Sequence, residues 1–287
     1  MTHFVENKKI SVVVPNYNYA GYIQNRLESI LKQTYPIYEL IILDDASTDD
    51  SVNLITSEVK KIQEKYGDVK IKFLKNKTNS GSVFFQWQKG IKVATGDYVW
   101  IAELDDSCSK YFLETALGPT ANSKNAIILS YTESRLIGSA SIKDNIRHRL
   151  GFVRKRHLNK AYIIDGRMEL NKNLAVYNSI PNVSACVFKN IPELAVILEE
   201  AKKYKLAGDW YFYTKLAEIG SVAYSPKKLN YHRLSANSVT ANTKLEERFF
   251  EMQKIHKYLY EKEYISDSTK QRMKKLEEKL KKSWHIS

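Results

Sequence analysis

The strongest constraint on the fold is an alternation of short apolar runs and helical stretches in the first hundred residues. The first run, KISVVVP at 9–15, is apolar and β-branched, which is typical of a buried parallel strand. Strands are predicted at 9–15, 39–43, 70–74 and 98–102. Helices are predicted at about 20–33 and near 83–94, and a third helix is predicted to begin at the acidic segment 47–50. An α/β alternation of this kind predicts a mostly parallel sheet flanked by helices.

The rhythm changes after about residue 120. Strand-like segments are predicted at 126–131, 184–188 and 221–231, helical segments at 190–204 and 209–219, and a polar stretch at 133–160. From 243 onward the spacing of apolar residues predicts a long helix or a helix pair. With no repeat or low-complexity linker, we expect one domain over 1–240, in halves 1–120 and 121–240, followed by a basic helical extension over 241–287.

Composition excludes several classes of protein. The chain has 287 residues, 43% of them apolar, so it can bury a core without disulfides. Its two cysteines are too few for a disulfide framework or a four-cysteine zinc site, which favours a reducing, cytoplasmic setting. The start of the chain, MTHFVENKK, lacks a signal-peptide core, and no run of 18 apolar residues predicts a membrane span.

The net charge of +13 is unevenly distributed. Residues 1–120 hold 14 Lys and Arg against 15 Asp and Glu, whereas residues 121–240 hold 19 against 9 and residues 241–287 hold 12 against 8. Basic excess alone favours an anionic partner. The excess lies wholly in the second part of the chain.

Carboxylates follow two of the predicted strands. Asp44 and Asp45 end the strand IIL, and Glu103, Asp105 and Asp106 follow the strand WIA. The carboxyl ends of parallel strands form the ligand edge of a sheet, although aspartate is also common in turns and helix caps. Clustered carboxylates repel one another unless a cation lies between them, and hard oxygen ligands favour Mg²⁺ or Mn²⁺.

Five segments, in order, resemble the inverting glycosyltransferases of family 2, which have the GT-A fold. They are VVVPNYN at 12–18, LDDASTDDS at 43–51, GDYVWIAELDD at 96–106, AGDWYFYTKLAEIG at 207–220 and LNYHRLSANSVT at 229–240. The resemblance covers roughly residues 8–240. It implies a Rossmann-like nucleotide-binding sheet, with a donor half at 1–120 and an acceptor half at 121–240.

The resemblance also implies roles for residues of the donor half. Pro15, Tyr17 and Asn18 would line the nucleotide pocket, and Asp45 would accept a hydrogen bond from the base. Asp44 would support the loop, with Ser47 and Asp49 capping the next helix. Gly81 is either a glycine that gives the nucleotide room or an ordinary loop glycine.

The segment from Glu103 to Asp106 occupies the place of the family's DxD motif. Asp105 and Asp106 are the expected ligands of Mn²⁺ or Mg²⁺, one of them directly and the other through water or the sugar. Glu103 replaces the usual first aspartate and would ligate the metal or contact the ribose. The metal would bridge the two phosphates of a sugar nucleotide and stabilise charge on the leaving diphosphate.

Asp209 matches the family's general base, which takes the proton of the attacking hydroxyl. Aspartate is equally typical of a helix N-cap, and an N-cap before Trp210 would keep the carboxylate ionised.

Relatives often carry Arg-x-His before SerValThr, but here Ser235 holds the histidine position. Arg233 is therefore expected to contact the phosphates, and His232 either contacts substrate or is a hydrogen-bonded surface histidine. For the acceptor groove, Asn182 and Ser184 are candidates, and Trp210 is either a core residue or a platform for an acceptor ring.

Three functions fit part of these observations. A metal-dependent inverting glycosyltransferase would use a nucleoside-diphosphate sugar, with UDP the usual nucleotide, and a saccharide, lipid-linked or anionic polymer acceptor of the cell surface. A sugar nucleotidyltransferase would need a Gly-rich basic loop after the first strand, where this chain has PNYNYAGY. A basic module without catalysis would explain the charge but not the acids, which would repel nucleic acid.

The basic cluster at 135–160 and the tail at 241–287 are expected to meet an anionic acceptor or the cytoplasmic face of the membrane. A solvated tail, or one that forms a homodimer, fits the sequence equally well.

Overall fold

The structure is a computed structural model that describes residues 8–122, 126–138, 159–180, 182–234 and 243–286. Most of the basic cluster at 135–160 and the SerValThr segment at 238–240 lie outside the described residues, as does Ser235.

The first half of the chain has the predicted alternation of strands and helices. The strands are β1 (Ile10–Asn16), β2 (Glu39–Asp44), β3 (Lys70–Lys75) and β4 (Tyr98–Ile101), and the helices are α1 (Ile23–Leu31, after the 3-10 turn Ala20–Tyr22), α2 (Ser51–Lys65) and α3 (Val83–Val93). Strand β1 lies between β2 and β4, with β3 outside β2, and all three pairings are parallel. The carboxyl ends of β1, β2 and β4 therefore meet at one edge.

The second half extends the same sheet. Its elements are β5 (Ser107–Cys108), α4 (Phe112–Asn122), β6 (Ile127–Ile137), β7 (Tyr162–Ile164), α5 (Gly166–Glu169, continued by the π turn Leu170–Leu174), the 3-10 turn Val183–Ala185, β8 (Cys186–Lys189), α6 (Glu193–Ala201), α7 (Gly208–Ile219) and β9 (Ser221–Arg233). The strand order is β3-β2-β1-β4-β8-β6-β9-β5, and β7 pairs with β9.

The sheet is mixed rather than mostly parallel. Strand β8 is antiparallel to both β4 and β6, while β6 and β9 are parallel. The pairing of Tyr98 with Lys189 and of Val99 with Phe188 makes β8 begin where β4 ends. As a result, the residues just before β8 lie beside the acidic segment that follows β4.

Helices cover both faces of the sheet. Alternate residues of β1 point to opposite sides: Val13 belongs to a core with α3, α6 and α7, whereas Val12 and Val14 belong to a core with α1, α2 and α4. This alternation is the expected consequence of the two-residue period of a strand.

The predicted C-terminal helix pair consists of α8 (Leu245–Tyr260) and α9 (Asp267–Ser283). Buried Phe249 and Ile255 of α8 and Met273 of α9 belong to the same apolar core as Trp210 of α7. The apolar stripe of the tail is thus covered by the chain itself. Among the described residues, no helix combines the length and the apolar character needed to cross a bilayer.

Helix α3 approaches the sheet closely at Gly90. A Cβ at this position would lie 2.3 Å from Cγ1 of Val13 and 3.1 Å from Cδ1 of Leu43. Gly90→Ala is therefore expected to lower the free energy of unfolding by roughly 1–3 kcal/mol, measured by urea denaturation. Gly67→Ala is the control, because its Cβ would meet only the Gln63 carbonyl oxygen at 3.8 Å. Equal losses in the two variants would contradict this packing.

Candidate active site

A cavity of about 820 Å³ opens at the carboxyl edge of the sheet. This size is within the usual range of small-molecule sites. Its lining combines residues from distant parts of the chain: Pro15, Tyr17, Asp45, Gly81, Trp87, Glu103, Asp105, Asp106, Asn182, residues 202–206, Asp209 and His232 are among them. The acids predicted from separate motifs thus share one cavity.

The loop after β2 is held by Asp44 and Asn18. Asp44 Oδ1 accepts a hydrogen bond from Asn16 Nδ2 (2.6 Å), and its Oδ2 accepts one from the Ser47 amide (3.0 Å). Asn18 Oδ1 accepts from the Thr48 amide at 2.7 Å. Asn18, predicted to line the nucleotide pocket, instead faces this loop and is not part of the cavity lining.

Of the two predicted caps of α2, Asp49 bonds the first amide of the helix, whereas Ser47 has other partners. Ser47 Oγ accepts from Asn16 Nδ2 and from the Asn18 amide. Asp49 accepts from the Ser51 amide and also from the Ala20 amide, so it joins the start of α2 to the 3-10 turn before α1. The N-cap residue of the helix is Asp50.

Asp45 is buried and supports the opposite wall of the cavity. Its carboxylate accepts hydrogen bonds from Asn76 Nδ2 (2.6 Å), Gln86 Nε2 (2.7 Å), and the Ser80 amide and hydroxyl (3.0 and 2.7 Å). These bonds fix the loop that carries Gly81, whose positive φ of 75° brings bare backbone to the cavity. The role of Asp45 in base recognition stays a prediction.

The segment after β4 concentrates three carboxyl groups in a partly buried place. Burial, followed by the charge of Asp105, raises the pKa of Glu103 to about 8. Burial, followed by the charge of Asp106, raises the pKa of Asp105. Trp87 Nε1 donates to Glu103 Oε1 at 2.7 Å.

Asp106 is held by protein donors on both oxygens. The Arg233 amide donates to its Oδ1 (2.8 Å), and Asn182 Nδ2 donates to its Oδ2 (2.5 Å). Only 4% of Asp106 is exposed. Asp105 is therefore better placed than Asp106 for a direct bond to a cation.

The donor set is compatible with a hard divalent cation. No group of three His, Cys, Asp or Glu side chains forms a ready-made metal cage within the described ranges. Mg²⁺ and similar ions are often bound by one or two carboxylates, with the remaining positions filled by water and substrate phosphates. The carboxyl groups of Glu103 and Asp105, whose pKa values are raised by burial and by a neighbouring acid, fit this mode of binding at the cavity wall.

Asp209 lies in the first turn of α7 and lines the cavity. The predicted N-cap position is wrong: the helix begins at Gly208, and Ala207 is the N-cap residue. Asp209 Oδ1 accepts from the Trp210 amide (2.6 Å), and Oδ2 accepts from Asn178 Nδ2 (3.2 Å). Burial raises its pKa to about 6, so it remains mostly ionised at neutral pH.

Two of the predicted acceptor-groove residues are buried. Trp210 is 5% exposed and donates through Nε1 to the Leu174 carbonyl, so it belongs to the core and not to a platform for a sugar. Ser184 is fully buried, and its hydroxyl accepts from the Glu103 amide. Asn182 does line the cavity, where it also holds Asp106.

Of the two predicted phosphate contacts, His232 and Arg233, one is part of the cavity lining. His232 lines the cavity. Arg233 is turned to the acidic segment, where its Nε donates to the Asp105 carbonyl at 2.9 Å and its guanidinium lies 5.1 Å from the centre of the Tyr22 ring. Adjacent residues of a strand point to opposite faces, which explains why only one of the two reaches the cavity.

Several polar partners of the acids were missed from the sequence. Among them, Trp87 contacts Glu103, Gln86 contacts Asp45 and Asn178 contacts Asp209. The first two lie on α3 among apolar residues. A polar group on a buried helix face needs a partner, and that requirement was the available signal.

The sequence model of glycosyl transferase family 2 matches residues 11–178, more than half of the chain. The chain belongs to glycosyl transferase family 2. It is thus a glycosyltransferase, and the family resemblance read from the motifs is confirmed.

Among its relatives is a cholesterol galactosyltransferase of Borreliella burgdorferi, 26% identical over 94% of this chain and 77% of that protein. A putative teichuronic acid biosynthesis glycosyltransferase of Bacillus subtilis is 34% identical over 38% of this chain and 40% of that protein.

Solved structures show the same fold. The S. aureus TarS 1–349 structure in complex with UDP-GlcNAc has a TM-score of 0.66 and 20% identity, covering 97% of this chain and 73% of that one. The Pyrobaculum calidifontis mannosyltransferase in complex with GDP-Man and Mn²⁺ has a TM-score of 0.61 and 16% identity, covering 98% and 71%. The GT-A fold is therefore confirmed for this family 2 enzyme.

Asp45→Asn tests the support of the cavity wall. The amide cannot accept all the hydrogen bonds that the carboxylate accepts, and buried donors are left without a partner. We expect the free energy of unfolding to fall by roughly 2–4 kcal/mol in urea denaturation. Asp50→Asn is the control: Asp50 is exposed, and asparagine is an equally good N-cap residue. A loss below 0.5 kcal/mol for Asp45→Asn, on the scale of a surface change, would contradict the assignment.

Proposed function

We propose that this family 2 enzyme transfers a sugar, with inversion, from a nucleoside-diphosphate sugar to a hydroxyl acceptor. One observation carries the proposal: the acidic segment after β4 and the carboxylate of Asp209 line the same cavity. The first can meet a diphosphate through a cation, and the second can take a proton. Each acid thus has a separate task in one reaction.

Asp209 is the proposed general base. Its carboxylate takes the proton from the acceptor hydroxyl while the hydroxyl oxygen forms a bond to the anomeric carbon of the donor. The bond from that carbon to the diphosphate breaks on the opposite face, and its electron pair leaves with the nucleoside diphosphate. Asn178 holds one carboxylate oxygen of Asp209 and so limits its rotation.

Asp105 is the proposed direct ligand of Mn²⁺ or Mg²⁺, and Asp106 the supporting acid behind it. When bound, the ion neutralises charge on the diphosphate and makes it a better leaving group. Trp87 holds Glu103 in place by a hydrogen bond, and Asn182 holds Asp106 in the same way. The mannosyltransferase of the same fold binds GDP-Man and Mn²⁺ together in its structure, which supports this proposal.

UDP is the first nucleotide to test, because TarS binds UDP-GlcNAc, and GDP is the second, because the mannosyltransferase binds GDP-Man. The acceptor classes proposed are a saccharide, a lipid-linked saccharide and an anionic polymer, in the synthesis of cell-surface polysaccharide. This is in line with the relative whose name assigns it to teichuronic acid biosynthesis. The lysines at 202, 203 and 205 line the cavity, and each is paired with a glutamate, so these lysines do not by themselves favour an anionic acceptor. Peripheral membrane contact through the basic surface stays a proposal.

UDP with Mn²⁺ is expected to raise the melting temperature of the protein, because ligand bound only by the folded state stabilises it. Asp105→Ala should abolish the shift, whereas Asp68→Ala, at an exposed turn, should keep it. Differential scanning fluorimetry with UDP, GDP, dTDP and CDP, each with and without the metal, makes the comparison. A shift that persists in Asp105→Ala, or none with any nucleotide, would count against the proposal.

Asp209→Asn is expected to retain nucleotide binding and lose transfer by about 10²–10⁴-fold, since the amide cannot take a proton. In the wild type, turnover at saturating donor and metal should fall below about pH 6, because burial raises the pKa of Asp209 to about 6 and only the ionised form is a base. Product release from UDP- and GDP-sugars measures both. Normal turnover of Asp209→Asn would remove this residue from the base role.

A further inference from the structure

Glu251 is a buried carboxylate on α8, in the part of the chain expected to be an extension. Only 8% of it is exposed. Its Oε1 accepts a hydrogen bond from the Lys205 amide (2.6 Å), and its Oε2 accepts from the amides of Leu206 (2.8 Å) and Ala207 (2.7 Å). Three consecutive backbone amides thus converge on one carboxylate. Hydrogen bonds to a charged acceptor are among the stronger ones in proteins.

These amides lead directly into α7. Ala207 is the N-cap residue of that helix, and its side chain has no oxygen to accept a hydrogen bond. The first amides of a helix have no partner within it, and the positive end of the helix dipole attracts an anion. Of the three amides that Glu251 binds, that of Ala207 is one of these first groups, so Glu251 brings a carboxylate from another helix to the start of α7, where Asp209 already accepts from the Trp210 amide.

Asp209 lies two residues after the last of the amides that Glu251 binds, that of Ala207. Between them, Gly208 is pressed against the cavity wall, since a Cβ there would lie 2.5 Å from the Phe84 ring. The loop at 202–206 forms part of the cavity lining. A shift of the amides that Glu251 binds would therefore move both Asp209 and the part of the cavity wall formed by residues 202–206.

Helix α8 also holds the other side of Asp209. His256 Nε2 lies 3.0 Å from the Val176 carbonyl, and Nδ1 lies 2.5 Å from Glu277 Oε1. The imidazole packs edge-on against Trp210, with ring centres 5.7 Å apart. Val176 lies two residues before Asn178, which donates to Asp209. One helix thus holds the two segments whose side chains make this hydrogen bond.

We propose that Glu251 is a positioning residue, which places Asp209 for proton transfer by holding the amides of residues 205–207. The proposal rests on the proposed role of Asp209 as base. Helix α8 lies beyond the segment matched by the family model, and the proposal makes it part of the structure that positions the general base.

The first test measures amide hydrogen exchange over residues 203–210 by mass spectrometry on the full chain. In Glu251→Gln the side-chain NH₂ group is a donor that faces the backbone amide donors, so these amides lose an acceptor. Their exchange rate should rise by a factor of about ten or more, which corresponds to about 1.4 kcal/mol of lost protection. Glu247→Gln is the matched control, one turn earlier on α8. Glu247 binds the same loop only through the Lys205 side chain (2.9 Å) and is half exposed. Unchanged exchange in Glu251→Gln would overturn the proposal.

The second test compares turnover with nucleotide binding. Glu251→Gln should lower kcat at least about tenfold, because small misplacement of a catalytic group is costly, while the Kd for UDP with Mn²⁺ changes less than twofold. Combined with Asp209→Asn, it should add nothing to the loss of the single Asp209 variant. Equal falls in binding and turnover, or additive losses, would indicate a general structural role and overturn the proposal.

The two proposals fail in different ways. A wild type that binds none of UDP, GDP, dTDP and CDP contradicts the proposed function, yet its amide exchange still reports whether Glu251 holds the loop. If Glu251→Gln does not accumulate as folded protein, Glu251→Asp serves in both tests. It keeps the charge but shortens the reach, so a smaller acceleration of exchange and a smaller loss of kcat are expected, and wild-type values for both would overturn the proposal.

Discussion

The surroundings of the cavity are organised around the carboxyl groups that crowd the end of β4. Three acids stand within four residues, and burial, followed by the charge of a neighbouring aspartate, raises the pKa values of Glu103 and Asp105. Donors from three later or neighbouring elements hold the segment: Trp87 on α3, Asn182 before β8 and the amide of Arg233 in β9. The antiparallel course of β8 brings Asn182 to this place. The mixed sheet therefore has a direct chemical consequence at the cavity.

A buried arginine supplies positive charge near these acids. Arg26 on α1 is fully buried, with its guanidinium 5.0 Å from the centre of the Trp100 ring. Its charge lowers the pKa of Glu103 and of Asp105, although less than burial raises them. The acids are thus partly compensated by a fixed cation beneath them, and a mobile cation in the cavity can complete the compensation. The net charge of +13, in contrast, belongs mostly to the second half and the tail of the chain.

Much of the fold could be predicted because the buried parallel strands β1, β2 and β4 have a strong apolar signal. These strands, and the half-exposed edge strand β3, lie within a residue or two of the expected positions. Carboxylates at strand ends could be located for the same reason. The direction of β8 could not, since a short apolar run carries no information about its partner. Contacts such as Asn182 with Asp106 join residues far apart in sequence. Glu251 resembles any charged residue of an amphipathic helix, and Trp210 faces away from Asp209 because successive helical residues point in different directions.

We propose that one cavity holds a nucleoside diphosphate at the acidic segment and presents Asp209 to the acceptor. A crystal structure of the protein with UDP and Mn²⁺ would show this arrangement. We expect density for UDP in the cavity between Pro15 and Gly81, with the ion bound to a carboxylate oxygen of Asp105 and to the diphosphate, and Asp209 on the open side. UDP bound elsewhere, or an ion without contact to Asp105 or Asp106, would contradict it.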